Sequence, residues 1–155
     1  MSIEIGDKIP DLVVATTKNQ TLSLRKDLKG KKLVLYFYPK DNTPGCTTQG
    51  QNFRDLYADF ATANTEILGC SRESIRSHSN FINKHEFNFD LISDPDEILC
   101  KAMDVIKEKN MYGKKYMGIE RSTFIFDEQG LLTHEMRKVK VKGHVEEVLM
   151  LVKSQ

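Results

Sequence analysis

The chain has 155 residues, with 23 basic and 22 acidic side chains and a formal net charge of +1. This length suits a single domain over residues 1–155, and a composition of 39% hydrophobic and 29% charged residues excludes a disordered or collagen-like chain. Near-balanced charge gives no general reason to expect a nucleic acid or a membrane as a partner. Residues 1–7 are acidic where a secretory signal is basic and then apolar, so we expect a cytoplasmic protein.

Hydrophobic periodicity and turn chemistry divide the chain into short strands and helices. An N-terminal β-hairpin or extended lead-in is predicted over 9–24, with a turn at 17–20. The continuous apolar run at 31–38 is typical of a central strand covered on both faces. The elements predicted downstream are a helix from Thr47, a strand at 66–70, a helix at 73–86, a strand at 90–94, a short helix at 97–105, a hairpin of strands at 122–126 and 131–135, and an amphipathic helix at 144–152. This order implies an α/β fold with a mixed central sheet and helices on both faces.

Three cysteines are an odd number, and in a reducing compartment free thiols are expected rather than a disulfide framework. Cys70 ends a predicted buried strand and Cys100 lies in a short apolar pattern, so both are typical of small buried hydrophobes. Cys46 differs because it follows a turn-rich loop at 41–45 and lies where a helix begins. The free N–H groups and partial positive charge of a first helical turn favour a thiolate. The sequence therefore indicates Cys46 as a nucleophile.

Pro39, Thr43 and Cys46 have the spacing Pro-x-x-x-Thr-x-x-Cys, which matches the signature of the peroxiredoxins. The run at 37–48 resembles the peroxiredoxin Q subfamily, also called bacterioferritin comigratory protein, and the similarity covers almost the whole chain. The resemblance implies a thioredoxin-like fold and a thiol-dependent peroxidase that reduces hydrogen peroxide and small organic hydroperoxides in antioxidant defence. No cofactor is expected, because sulfur carries the electrons.

The resemblance also implies roles for the residues of the signature. Cys46 matches the peroxidatic cysteine, which attacks the terminal peroxide oxygen and becomes a sulfenic acid. Thr43 matches the residue whose hydroxyl hydrogen-bonds the thiolate and the peroxide. Pro39 matches the residue that shields the thiolate from water.

Further roles fall on residues around the signature. Arg121 matches the arginine that stabilises the thiolate and helps to hold the peroxide, a role that suits its permanent charge. The backbone N–H groups of Gly45 and Cys46 are expected to donate to the oxygen under attack. Gln49 stands where related families often carry an acid, and we expect it to orient Arg121 in the substrate-binding site.

The resolving cysteine of the subfamily is missing from its usual places. Many members carry it five residues after the peroxidatic one, where this chain has Gln51, and others carry it in the region 81–84, which contains no cysteine. We therefore expect a one-cysteine enzyme, monomeric like many relatives, that is recycled by thioredoxin, glutaredoxin or glutathione. The alternative is a two-cysteine mechanism in which Cys70 or Cys100 resolves Cys46, within the chain after local unfolding or between chains.

Other functions have less support in the residues. No Cys-x-x-Cys or His-Glu-x-x-His spacing occurs, so we expect no metal site, and we interpret the helical face shared by His78 and His85 as solvated. A thioredoxin-type oxidoreductase would need a second cysteine at Thr43. Basic residues near 25–32 and 138–142 leave a non-enzymatic binding or chaperone module as an alternative, but no aromatic stacking platform accompanies them.

Overall fold

The structure, a computed structural model, describes residues 3–18 and 20–155. Residues 1–2 of the acidic start and Asn19 of the predicted turn lie outside the described residues. The elements follow in this order: β1 Val13–Thr16, β2 Leu22–Ser23, β3 Lys32–Phe37, α1 Pro44–Asp55, α2 Tyr57–Thr62, β4 Thr65–Ser71, α3 Ile75–His85, β5 Asp90–Ser93, α4 Ile98–Ala102, β6 Ile106–Met111, β7 Lys114–Ile119, β8 Ser122–Phe126, β9 Leu132–Met136 and α5 His144–Lys153.

A mixed, seven-stranded sheet in the order β2-β1-β5-β4-β3-β8-β9 forms the centre of the fold. Strand β3 pairs parallel to β4 and antiparallel to β8, and β4 pairs parallel to β5. At the edge, β1 and β2 form the predicted N-terminal hairpin, in which Val13 lies opposite Ser23. The predicted α/β class with a mixed central sheet is confirmed.

The two faces of the sheet bury two separate hydrophobic cores, because successive side chains of a strand point to opposite faces. Strand β3 shows the alternation: Tyr36 belongs to one core and Phe37 to the other. Helices α1, α2, α3 and α5 cover the first face through Phe53, Phe60, Phe81 and Val148. Helix α4 and the N-terminal segment cover the second. Helices therefore lie on both faces, as predicted.

Helix α1 begins at Pro44, three residues before the predicted start at Thr47. Proline is favoured in the first turn because its fixed φ suits a helix and the N–H that it lacks would have no partner there. The helix ends at Asp55, and α2 continues after a break at Leu56. Within residues 3–18 and 20–155, no helix combines the length and the apolar character that crossing a bilayer requires.

Strands β6 and β7 form a hairpin outside the central sheet, which the sequence patterns did not predict. Its turn consists of Tyr112 and Gly113, both with positive φ (53° and 80°), the geometry of a type I′ hairpin turn. Most side chains of the hairpin are charged or exposed, so its sequence lacks the apolar alternation of a half-buried strand.

We expect the variant Gly50→Ala to be destabilised by about 1–3 kcal/mol, because a Cβ at this position would overlap the ring of Phe87. Helix propensity alone predicts the opposite, since alanine stabilises a helix by about 1 kcal/mol relative to glycine. Urea denaturation measures the difference, and Thr48→Ala at an exposed position of the same helix is the control. A Gly50→Ala variant more stable than the wild type would contradict the predicted overlap.

Candidate active site

Cys46 is the third residue of helix α1, and its side chain is only 2% exposed. The first bond of the helix runs from the N–H of Thr47 to the carbonyl of Thr43 (2.9 Å). The N–H groups of Gly45 and Cys46 precede it, and the Thr43 side chain does not cap them. They are therefore available donors beside the Cys46 sulfur.

Arg121 lies between β7 and β8 and connects two side chains of helix α1. Its Nη2 donates to Cys46 Sγ (3.3 Å), and its Nη1 donates to Gln49 Oε1 (2.5 Å). A Cβ on Gly45 would stand 3.2 Å from Nη2, so the absence of a side chain there leaves room for the guanidinium. A guanidinium that donates to sulfur stabilises a thiolate more than a thiol.

Gln49 is fully buried, and its two amide atoms differ in their contacts. Oε1 accepts from Arg121, whereas Nε2 has no hydrogen-bond partner among residues 3–18 and 20–155. The guanidinium has only donors, so it fixes which amide atom faces it. A buried unpaired donor is costly, and this one lies in the same side chain that holds Arg121 beside Cys46.

The other two residues of the signature lie in the loop before α1. The Thr43 hydroxyl donates to the carbonyl of Lys40 (2.8 Å), and no hydrogen bond joins it to Cys46 within the described residues. Its oxygen keeps a lone pair that can accept. Pro39 is half-buried directly after the buried Tyr38. The roles that the resemblance implies for Thr43 and Pro39 stay predictions.

A buried polar network holds this loop against the sheet and α3. Asp41 accepts from Tyr38 Oη (2.6 Å) and Ser77 Oγ (2.7 Å), and its Oδ2 lies 2.7 Å from His78 Nδ1. The second ring nitrogen of His78 lies 2.9 Å from the carbonyl of Ile92, so both ring nitrogens face an oxygen of the network.

The interpretation of His78 as solvated is wrong, because its side chain is fully buried. A signal was present in the sequence: His78 shares a helical stripe with Phe81, which also faces the core. Burial by itself would raise the pKa of Asp41, but the interactions with His78 and the hydrogen bonds from Tyr38 and Ser77 together outweigh it, so the pKa of Asp41 is lowered.

Two titratable residues near Arg121 were not found by sequence reasoning. Partial burial, followed by the positive charge of Arg121, lowers the pKa of Lys109 in strand β6. Burial is also the main cause of the lowered pKa of His144, whereas the negative charge of Glu147 acts to raise it. His144 Nε2 lies 2.8 Å from Thr123 Oγ1. Neither residue belongs to a recognisable motif.

Cys70 and Cys100 belong to the core on the opposite face of the sheet from Cys46. Their sulfur atoms and a carboxylate oxygen of Asp94 all lie within 4.8 Å of one another. Burial raises the pKa of Cys70 well above its ordinary value, and the contact with Cys100 adds to the effect. Asp94 already accepts the N–H groups of Leu99 and Cys100 at the start of α4. This chemistry favours a neutral thiol at Cys70 over a metal ligand.

Comparisons with known proteins find relatives along almost the whole chain. The AhpC/TSA family matches residues 5–135. Peroxiredoxin Bcp of Bacillus subtilis is 50% identical over 153 residues, which are 99% of this chain and 97% of that protein. A structure of the Xanthomonas campestris bacterioferritin comigratory protein, reported with its alkyl peroxide reduction activity, superposes with a TM-score of 0.90 at 48% identity and covers 97% of this chain and 98% of that one. The structure of a PrxQ mutant of Xylella fastidiosa superposes with a TM-score of 0.93 at 44% identity and covers 99% of this chain and 98% of that one.

A buried helix-start cysteine paired with an arginine, on a mixed sheet of this topology, defines a thiol peroxidase of the thioredoxin fold. The chain belongs to the AhpC/TSA family, the peroxiredoxins. Within that family its relatives are the peroxiredoxin Q or Bcp proteins, so the resemblance found in the sequence is confirmed.

Proposed function

We propose that Cys46 reduces hydrogen peroxide and small organic hydroperoxides through a sulfenic acid, and that an external thiol restores it. The observation that carries the proposal is the guanidinium of Arg121, bonded at once to Cys46 and Gln49. The thiolate attacks the terminal oxygen, the O–O bond breaks, and the leaving oxygen takes up a proton as water or an alcohol. One thiol then forms a mixed disulfide with Cys46 and releases water, and a second thiol frees Cys46.

Donors around the sulfur support the first step, because negative charge moves from sulfur to the leaving oxygen as the O–O bond breaks. The N–H groups of Gly45 and Cys46 in the first turn of α1 and the Arg121 guanidinium can stabilise this charge. The unpaired Nε2 of Gln49 offers one more donor in the same cluster. Gln49 would thus orient Arg121 with one amide atom and bind a peroxide oxygen with the other.

A groove of about 470 Å³ beside the helix start supports organic hydroperoxides as substrates. Its lining includes Pro44 and Gly45 of α1 and Val141 and Gly143 before α5. Gly45 adjoins both Val141 of this groove and the Arg121 guanidinium, so the groove can hold the organic part of a hydroperoxide next to the Cys46 site. The related Xanthomonas protein is reported with alkyl peroxide reduction activity.

The separation of the cysteines supports a one-cysteine cycle. A disulfide needs Cα atoms within about 7 Å, whereas the central sheet lies between Cys46 and the pair of Cys70 and Cys100. Gln51 occupies the position where many relatives carry a resolving cysteine. The proposed reductants are thioredoxin, glutaredoxin or glutathione, and we propose a monomer in the cytoplasm.

Mass spectrometry after one equivalent of peroxide tests the cycle. We expect Cys46 as a sulfenic acid, trapped by dimedone, or as a mixed disulfide with an added thiol, while Cys70 and Cys100 stay reduced. A crosslink of Cys46 to Cys70 or Cys100 in most molecules would establish the two-cysteine alternative instead. Absence of any modification at Cys46 would refute the proposed activity itself.

We expect Arg121→Ala to lower kcat/KM for hydrogen peroxide about 100-fold, the usual effect of losing one charged donor at a reacting centre. Alkylation of Cys46 by iodoacetamide at pH 7 should slow as well, since the guanidinium no longer favours the thiolate. The control is Arg76→Ala, which removes an exposed arginine from α3. Unchanged alkylation in Arg121→Ala would show that the guanidinium is not the electrostatic partner of the sulfur.

A further inference from the structure

The β6–β7 hairpin presents two different faces. Directly opposite residues of an antiparallel pair share a face, so Lys109 lies with its partner Tyr116, and Met111 lies with Lys114. Glu108 lies on the other face, where it pairs with Lys115 at 3.7 Å. The face of Lys109 is therefore basic and apolar without an acidic residue of its own strands.

Large hydrophobic side chains are unusually exposed on this hairpin. Tyr112 is 99% exposed, Met111 is 55% exposed and Tyr116 is 41% exposed. Together with Lys109 and Lys114, these residues form what we call the hairpin patch. Clustered exposed hydrophobic side chains mark interaction sites, whereas single ones do not.

Tyr112 does not stabilise the fold of the hairpin. Its φ of 53° is left-handed, a conformation in which asparagine or glycine is favoured at this turn position. A tyrosine there gains no packing and fits the backbone less well than asparagine would. The ring is therefore best explained by a contact with another molecule.

The patch begins beside the reactive sulfur. Lys109 is half-buried, and its side chain crosses Gly118, where an added Cβ would lie 3.2 Å from Lys109 Cδ. Arg121, three residues after Gly118, donates to the Cys46 sulfur. From Lys109 to Tyr112 the strand extends about 10 Å away from the site. A small thiol that contacts Cys46 cannot also reach Tyr112, but a protein that presents a thiol to Cys46 can cover the whole patch.

We propose that the hairpin patch is the docking surface for a protein reductant, a thioredoxin-like protein whose reactive cysteine is surrounded by apolar and acidic side chains. The inference rests on the proposed recycling of Cys46 by an external thiol. Charge complementarity selects an acidic partner, because Lys109 and Lys114 lie on a face to which the two strands contribute no acidic residue. Glu120, which follows β7, also acts on Lys109. A symmetric dimer through the same patch would place lysines against lysines.

The test uses a double variant that carries Tyr112→Asn and Lys114→Glu, and it compares thioredoxin with dithiothreitol as the reductant. Asparagine suits the left-handed turn, so the hairpin keeps its fold. With thioredoxin and its reductase, KM for thioredoxin should rise about tenfold, and kcat should stay within about twofold. With dithiothreitol the rate should stay within about twofold. Added salt should raise KM for thioredoxin in the wild type more than in the variant.

The control carries Lys29→Glu with Met150→Ser, which makes the same change of charge and of exposed apolar surface away from the hairpin. Its KM for thioredoxin should equal that of the wild type. An unchanged KM in the hairpin variant, an equal loss with dithiothreitol, or no turnover with thioredoxin while dithiothreitol sustains it would overturn the inference. A wild-type dimer that the hairpin substitutions dissociate would also overturn it. No peroxide consumption with either reductant would instead refute the proposed function.

Discussion

The variant Cys46→Ser is expected to fold normally and to lose peroxide consumption by about 10⁴-fold or more, the scale of removing an enzyme's nucleophile. Serine differs from cysteine by one atom and its oxygen can still accept from Arg121, which lies 3.3 Å from the sulfur. A hydroxyl at neutral pH is neither ionised nor readily oxidised by peroxide. Consumption of hydrogen peroxide with dithiothreitol as reductant measures the loss, and circular dichroism verifies the fold.

The matched controls are Cys70→Ser and Cys100→Ser, which make the same chemical change in the other core. Each places a hydroxyl in an apolar environment, so each should cost about 1–3 kcal/mol of stability. Activity per folded molecule should nevertheless stay within about twofold, because the sheet separates both from Cys46. An equal loss of activity in all three variants would refute the assignment of Cys46 as the nucleophile.

The variant Asp41→Ala is expected to lower the free energy of unfolding by about 3–5 kcal/mol at pH 7, because it removes the buried carboxylate that accepts three hydrogen bonds. His78 would keep a buried ring without its carboxylate, and the hydroxyls of Tyr38 and Ser77 would lose their acceptor. Urea denaturation measures the effect. The control Asp55→Ala breaks an exposed pair with Arg54 and should cost less than about 1 kcal/mol.

The same carboxyl makes stability depend on pH. The lowered pKa of Asp41 means that the unfolded chain takes up a proton at higher pH than the folded one. The stabilisation by Asp41 is therefore complete above the ordinary carboxyl pKa of about 3.9 and is lost as the pH falls through the folded value. In Asp41→Asn this part of the acid sensitivity should disappear. An identical fall of stability below pH 4 in wild type and Asp41→Asn would contradict the lowered pKa of Asp41.

The position of Cys46 could be predicted from the sequence because its signals are local. A buried strand, a proline-containing loop and a helical pattern follow one another directly, and they place the sulfur in a first helical turn. The contact with Arg121 could not be derived in this way, because 75 residues separate the two in the chain. The contact between Arg121 and Cys46 was expected from the family resemblance, and the structure adds the distance of 3.3 Å between Nη2 and Sγ.

The elements missed by sequence reasoning lack a pattern of their own. The β6–β7 hairpin has its charged and exposed residues on both strands, so no alternation marks it. His78 was assigned to solvent because histidine is usually polar surface. Its burial depends on Asp41, a partner from a loop 37 residues earlier. The helical stripe that His78 shares with Phe81 does signal burial, but the pairing with Asp41 leaves no periodic trace in a sequence.

Because Cys46 lies on one face of the sheet and Cys70 and Cys100 on the other, the oxidation of Cys46 can be measured by counting reactive thiols. Cys70 and Cys100 are fully buried, and the raised pKa of Cys70 keeps that thiol inert until the chain unfolds. Cys46 is also buried (2% exposed), but it lies in the site that peroxide enters, so we expect a small reagent applied to the native protein to titrate Cys46 alone and the same reagent in denaturant to titrate all three. The difference between the two counts is the contribution of Cys70 and Cys100, and the native count divided by half of that difference gives the fraction of enzyme whose Cys46 is still reduced, without a second protein as a reference.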